Sequence, residues 1–175
     1  TQWRGPADPV QSALLGRTPQ SKATVPVDDP WSRDRYPLIQ FVREAWHVLE
    51  PKPYIHGWYL EAICQHLEAV ARRDIKRLLV NVPMRSGKSL LQSVFFPAWI
   101  WITQPEHRFL CTSYSKDLAL RDSVRCRMLM LSHWYKERWR DRFSLQGDLN
   151  IKSRFANDKG GYRITSAVGG ATGDG

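Results

Sequence analysis

"VNVPMRSGKS", Val80 to Ser89, is the stretch on which the reading of this 175-residue chain turns. Gly87, Lys88 and Ser89 complete the end of the phosphate-binding pattern G-x-x-x-x-G-K-[ST], but the first glycine of that pattern would fall at position 82, which is Val82. The chemistry says which positions tolerate change. A glycine directly before the lysine lets backbone approach a phosphate where a side chain would collide. Lys88 brings a point charge to the β- and γ-phosphates, and the Ser89 hydroxyl can coordinate Mg²⁺. Backbone amides of the loop and of a helix start supply the rest of an anion site. The first glycine eases the turn into the loop, a task Pro83 can perform instead. Arg85 adds a guanidinium able to reach a γ-phosphate and stabilise transition-state charge. A surface arginine paired with a neighbouring carboxylate is the plainer alternative.

Working outward, "IKRLLVNV" (Ile75 to Val82) is a short apolar run, bounded by charge before and proline after, and reads as a buried strand of a parallel sheet. Lys88 onward reads as a helix with a kink or break at Pro97. "HRFLCTSY" (His107 to Tyr114) is a second strand, expected to lie beside or near the first. Upstream, Leu38, Phe41, Val42, Ala45, Trp46 and Leu49 recur at helical spacing until Pro51 and Pro53 stop the run. A second helix follows Gly57, with Leu60, Ile63, Cys64, Leu67 and Val70 as its buried stripe. Downstream, Leu120, Val124, Met128 and Leu131 make the expected stripe of a helix capped by Ser115, with Leu118 in its first turn. "IKSRFANDKGGYRITSAV" reads as a hairpin turning near Asn157 to Gly161. Residues 1–35, with Pro6, Pro9, Pro19, Pro26 and Pro30, read as an extended, partly disordered arm, and residues 36–175 as the folded body.

Composition narrows the classes. The chain is long enough for one domain with a core. Its longest apolar run, Val94 to Ile102, is broken by Pro97 and too short to span a bilayer, and no signal peptide precedes it, so no membrane role is expected. Cys64, Cys111 and Cys126 show no paired spacing, which argues against zinc and fits a reducing compartment. The formal net charge is +9, which points to a polyanionic partner or to a solvated basic surface. Eleven basic residues against five acidic ones lie between Arg121 and Arg163, interleaved with Trp134, Tyr135 and Trp139. Within that run Arg138, Arg140 and Arg142 are the candidate contacts to DNA phosphates. A solvated helix face is the alternative.

Pro-x-Arg-x-Gly-Lys-Ser after "LLVNV" resembles the large terminase subunit of tailed bacterial viruses. "YIHGWYLEAICQHLEAV" upstream, "SVFFPAWIWITQPEHRFLCTSYSKDLALRDSVRCRMLM" downstream and "GGYRITSAVGGATGDG" at the end resemble the same family in order, from about Pro37 to Gly175. The resemblance implies an α/β P-loop NTPase fold (RecA/ASCE-like), a parallel sheet flanked by helices and incomplete at its C-terminal side. The strand with the Walker B acids, the coupling motif and the nuclease domain would all follow Gly175. It implies ATP and Mg²⁺ held by Pro83, Met84, Arg85, Ser86, Gly87, Lys88 and Ser89, with Lys88 and Arg85 catalytic and Ser89 on the metal.

An adenine-contacting segment would lie near Tyr54, His56 and Trp58, although Tyr54 and Trp58 also suit simple anchoring of the second helix. The implied role is the ATPase that drives viral double-stranded DNA into the procapsid. It would work in the bacterial host's cytoplasm as a homo-oligomeric ring, with the portal protein and small terminase subunit as partners. The piece alone would hydrolyse ATP weakly or not at all. Val82 and Met84 depart from common forms of the loop, and Asp174 stands where some relatives carry a trans-acting arginine. Another P-loop translocase or helicase, and a non-enzymatic basic nucleic-acid-binding module, are the competing readings.

Overall fold

The computed structural model describes residues 29, 31–32, 35–147 and 151–168. Most of the expected arm, and the glycine-rich end with Asp174, lie outside the described residues. Helix α1 (Leu38–Leu49) starts after Pro37, which needs no amide donor there, and buries Leu38, Phe41, Val42 and Ala45. Its first amide, Leu38 N–H, donates to Glu68 Oε1 at 2.7 Å, so the next helix caps this one. That helix, α2 (Trp58–Arg72), buries Leu60, Ile63, Cys64 and Leu67 and ends at Arg73 in the left-handed region, φ 69°.

A third helical run covers 88–103 in three parts: α3 (Lys88–Leu90), a π-turn (Leu91–Phe95) and α4 (Phe96–Thr103). The kink or break expected at Pro97 takes the form of this wide turn just before it, and the helical path continues through the proline. Strand β1 (Phe109–Ser113), helices α5 (Lys116–Leu131) and α6 (His133–Trp139), and strands β2 (Arg154–Ala156) and β3 (Tyr162–Ala167) complete the order.

The protein is thus mixed α/β with a small sheet ordered β1-β3-β2. β1 and β3 are parallel, from Phe109 opposite Arg163 to Ser113 opposite Ala167, while β2 and β3 are antiparallel. The sheet is therefore mixed rather than wholly parallel. The hairpin turn falls where expected. Asn157, fully buried, accepts from the amides of Lys159 and Gly161 and donates to Pro105 O at 2.7 Å. A Cβ on Gly161 would sit 1.9 Å from Pro105 O, so only glycine fits.

Three expectations need correction. Ile75 to Val82 is no strand: the backbone joins no ladder among the described residues and does not neighbour β1. Leu78, Val80 and Val82 lean on the core, but Leu79 is 92% exposed, as in a strand with one covered face and no partner. Second, α5 buries Ala119, Asp122, Ser123, Cys126, Leu129 and Met130 rather than the stripe of Leu120, Val124, Met128 and Leu131. Ser115 takes the N-cap position of α5 but makes no side-chain cap bond. Third, the body begins before residue 36. Trp31 packs edge-on against Tyr36 and Trp139, and buried Asp29 accepts from Trp31 N–H and from Arg142.

Aromatic residues build the core between α1, α4 and α6. Trp99, Trp101, Trp139, Phe41 and Phe95 are fully buried. A buried indole usually finds a partner for its N–H, and here two of these three do, while Trp139 Nε1 has none among the described residues. Trp99 donates to Tyr36 O at 2.9 Å and Trp101 to His107 O at 2.8 Å, while Tyr135 Oη donates to Ala98 O at 2.8 Å. Among the described residues no helix is long and apolar enough to cross a membrane.

Candidate functional site

Residues 83–87 form an exposed loop between the extended segment and α3. Two of them have left-handed backbones: Arg85 at φ 65° and Gly87 at φ 80°. For glycine this conformation is free. For arginine it carries strain on the order of 1–3 kcal/mol, which the surroundings must hold. Alternating backbone hands of this kind turn successive amides to one side, the geometry of an anion nest. A Cβ placed on Gly87 would meet nothing within 4 Å, so the space beside this residue is open.

Lys88 begins the helical run. Its Nζ donates to Val82 O at 3.0 Å, so the ammonium bridges the two ends of the loop. The Ser86 hydroxyl is buried and has no hydrogen-bond partner among the described residues. Ser89, Met84 and Pro83 are exposed. Open space at Gly87, an unpaired buried hydroxyl at Ser86 and the ammonium of Lys88 are groups that a phosphate could use. Among the described residues no three His, Cys, Asp or Glu side chains converge on a metal-holding cluster.

Behind the loop, the helix is tied to the sheet. Pro97 has no N–H, so the Ser93 carbonyl lacks its α-helical donor, and the Arg163 Nη1 of β3 donates to it instead. The next carbonyl, Val94 O, accepts from Cys126 Sγ of α5 at 3.4 Å. Arg163 is 1% exposed, its Nε reaches Thr165 Oγ1 at 3.4 Å, and its Nη2 has no partner among the described residues. Burial pushes the Cys126 thiol up to about 11, against the opposing pull of the Arg163 cation. Sequence reasoning placed Arg163 in a basic, DNA-facing run. The signal that would have found its role is a proline four residues after Ser93, which obliges some other donor to serve that carbonyl.

The adenine candidates divide. Tyr54 Oη lies 3.4 Å from His56 Nδ1, and His56 Nε2 lies 3.6 Å from Glu61. Tyr54 borders a hollow of about 270 Å³ with Trp46, whose ring it meets edge-on at 5.4 Å. Trp58, 80% exposed, lines a different hollow of about 220 Å³ bounded by Leu78 to Val82. Of the three candidates, Trp58 thus shares a wall with the segment that enters the loop.

The basic run does not form one face. Arg125 bonds Leu49 O at 3.2 Å and pairs with Glu50, Arg142 pairs with buried Asp29, and Arg163 is internal. Arg138 donates to Trp134 O at 3.0 Å and lies 4.9 Å over its ring. Of the three DNA candidates, Arg140 is the most exposed, with Asp141 at 3.8 Å. No protein-family model, curated protein or solved structure matches the chain.

Proposed function

We propose that this chain is the ATP-binding segment of a P-loop motor acting on nucleic acid, of the large-terminase kind, which drives viral double-stranded DNA into a procapsid. The loop carries this reading. Gly87 and Arg85 adopt left-handed backbones before a continuous helical run, Lys88 stands at its start, and Ser86 holds a buried, unpaired hydroxyl. Lys88 would leave Val82 O for the β- and γ-phosphates, and Ser89 would reach the Mg²⁺ that accompanies ATP. Arg85 is positioned at the loop's exposed rim. Duplex DNA, a portal, a small terminase subunit and further copies in a ring are the partners this reading brings with it. With Arg125, Arg142 and Arg163 engaged internally, DNA contact would rest on fewer cations than the sequence count suggests.

A fluorescent ATP analogue with Mg²⁺, titrated into the chain and into Lys88→Ala, tests the reading. Binding that falls at least roughly tenfold in the variant supports it, since a charged hydrogen bond is worth about 1.5–3 kcal/mol. Equal binding by both would remove the phosphate role of Lys88. Duplex DNA affinity measured against salt forms the second arm. A slope of about −0.9 per phosphate contact that flattens by about one in Arg140→Ala places Arg140 on the DNA, and an unchanged slope removes it.

A further inference from the structure

Resting on the phosphate-loop reading above, we propose that Pro97 and Arg163 act as a pair that sets the register of the helix bearing Lys88 and Ser89, with Arg163 as a positioning residue. In an α-helix the ring of a proline clashes with the carbonyl four residues earlier and leaves it without a donor. Here that carbonyl belongs to Ser93. The π-turn (Leu91–Phe95) carries the helix past the obstacle, with Phe96 N–H bonding Leu91 O across the wide turn.

A wide turn costs a helix some hydrogen bonding, and such turns recur at functional sites. The side that serves the displaced carbonyls is built from two other elements. Arg163 of β3 takes Ser93 O and Cys126 of α5 takes Val94 O. A guanidinium is the group that can do this from the middle of a strand, because its planar fork reaches a carbonyl and Thr165 together.

The functional consequence follows from helix geometry. Each residue turns an α-helix by about 100°, so one residue more or less in the turn at 91–95 rotates everything before it by that amount relative to α4. α4 is anchored: Ile100, Trp101 and Ile102 are buried, and Trp101 Nε1 bonds His107 O. On the other side of the turn lies α3, which carries Lys88 and Ser89 and buries Leu90. Keeping the wide turn therefore keeps the ammonium pointed across the loop to Val82 O.

A double-mutant cycle tests the pair: the chain, Pro97→Ala, Arg163→Met and the double variant, each followed by denaturant unfolding and by affinity for a fluorescent MgADP analogue. Arg163→Met also removes a buried cation, so the coupling, rather than the single effect, carries the test. The expected coupling is about tenfold or more in the unfolding constant, because an amide restored at position 97 can serve Ser93 O once the guanidinium is gone.

MgADP affinity should be lowest in the double variant, since there the turn is free to tighten and rotate Lys88. Additive unfolding effects overturn the pair, whether or not nucleotide binds. Recovery of both stability and affinity in the double variant overturns the register role. If Arg163→Met does not fold, amide exchange in Pro97→Ala decides. Protection of the new amide at position 97 with lowered MgADP affinity supports the pair, and an unprotected amide with unchanged affinity overturns it. A parent chain that binds no MgADP removes the phosphate-loop reading, while the unfolding cycle still tests the Pro97–Arg163 link.

Discussion

The aromatic corner formed by α1, α4 and α6 and the extended strip 78–85 are both apolar in sequence, and the structure treats them oppositely. In the corner, Trp139 meets Trp31, Tyr36, Phe41, Trp134 and Tyr135 at ring separations of 4.8 to 5.8 Å, and is 1% exposed. In the strip, Leu79 and Met84 are 92% and 90% exposed, and the backbone finds no ladder among the described residues. Hydrophobic pattern codes for burial only where a second wall exists to receive it. The corner supplies its own walls from three helices. Among the described residues the strip shares a hollow with the face of α2 that carries Trp58, Tyr59, Ile63 and His66. The buried side thus lies behind the helix that carries Lys88, and the exposed side at the loop.

The largest expected effect belongs to the corner. Phe41→Ala should lower the free energy of unfolding by about 3–5 kcal/mol, the range for deleting a buried aromatic ring. Denaturant melts read it directly, and a loss under about 1 kcal/mol would mean that the corner is not where stability resides.

A smaller effect is expected at its edge, where Asp29 tethers the segment before α1 to Arg142. Burial alone would raise the Asp29 pKa, but the Arg142 guanidinium and the Trp31 amide outweigh it and hold the carboxyl below its ordinary value. A depressed folded pKa gives stability that is present above the ordinary carboxylate pKa and is lost as pH falls through the lower folded value. Asp29→Asn should therefore cost about 2 kcal/mol near neutrality. That difference from the parent chain should shrink as pH drops below about 4. A pH-independent difference would contradict an ionised Asp29.

The smallest effect belongs to the strip. Leu79→Ser should change stability by no more than about 0.5 kcal/mol, as for other exposed positions. A loss comparable to that of Phe41→Ala would show that the strip is covered after all and would erase the contrast.

Much of this was legible beforehand for a plain reason: where one period ruled, it ruled correctly. Leu38, Phe41, Val42, Ala45, Trp46 and Leu49 repeat at helical spacing with nothing competing, and α1 buries the first four and half-buries Trp46 and Leu49. Asn157 to Gly161 carried turn chemistry that no strand could use, and the turn is there. Helix α5 defeated the same method because its inner face is polar. Asp122, Ser123 and Cys126 are buried on the helix that packs against β3, where Arg163 sits, so the apolar stripe marked the wrong side. On β3 the alternation is likewise inverted, with Arg163 and Thr165 inside and Ile164 between them less buried. Composition cannot reveal that a basic residue serves one carbonyl inside the fold. At the loop, the residue types announced a phosphate site, but the left-handed Arg85 and the unpaired Ser86 hydroxyl needed coordinates.

Amide hydrogen exchange, resolved by residue and recorded with and without MgADP, tests the central claim most directly. A phosphate seated in the loop would take hydrogen bonds from the amides of residues 85–89 and slow their exchange. Protection is expected there on nucleotide addition, lost again in Lys88→Ala, with the exposed strip at 78–81 much less affected. Exchange at 85–89 that ignores the nucleotide, or protection that survives loss of the Lys88 ammonium, would contradict it.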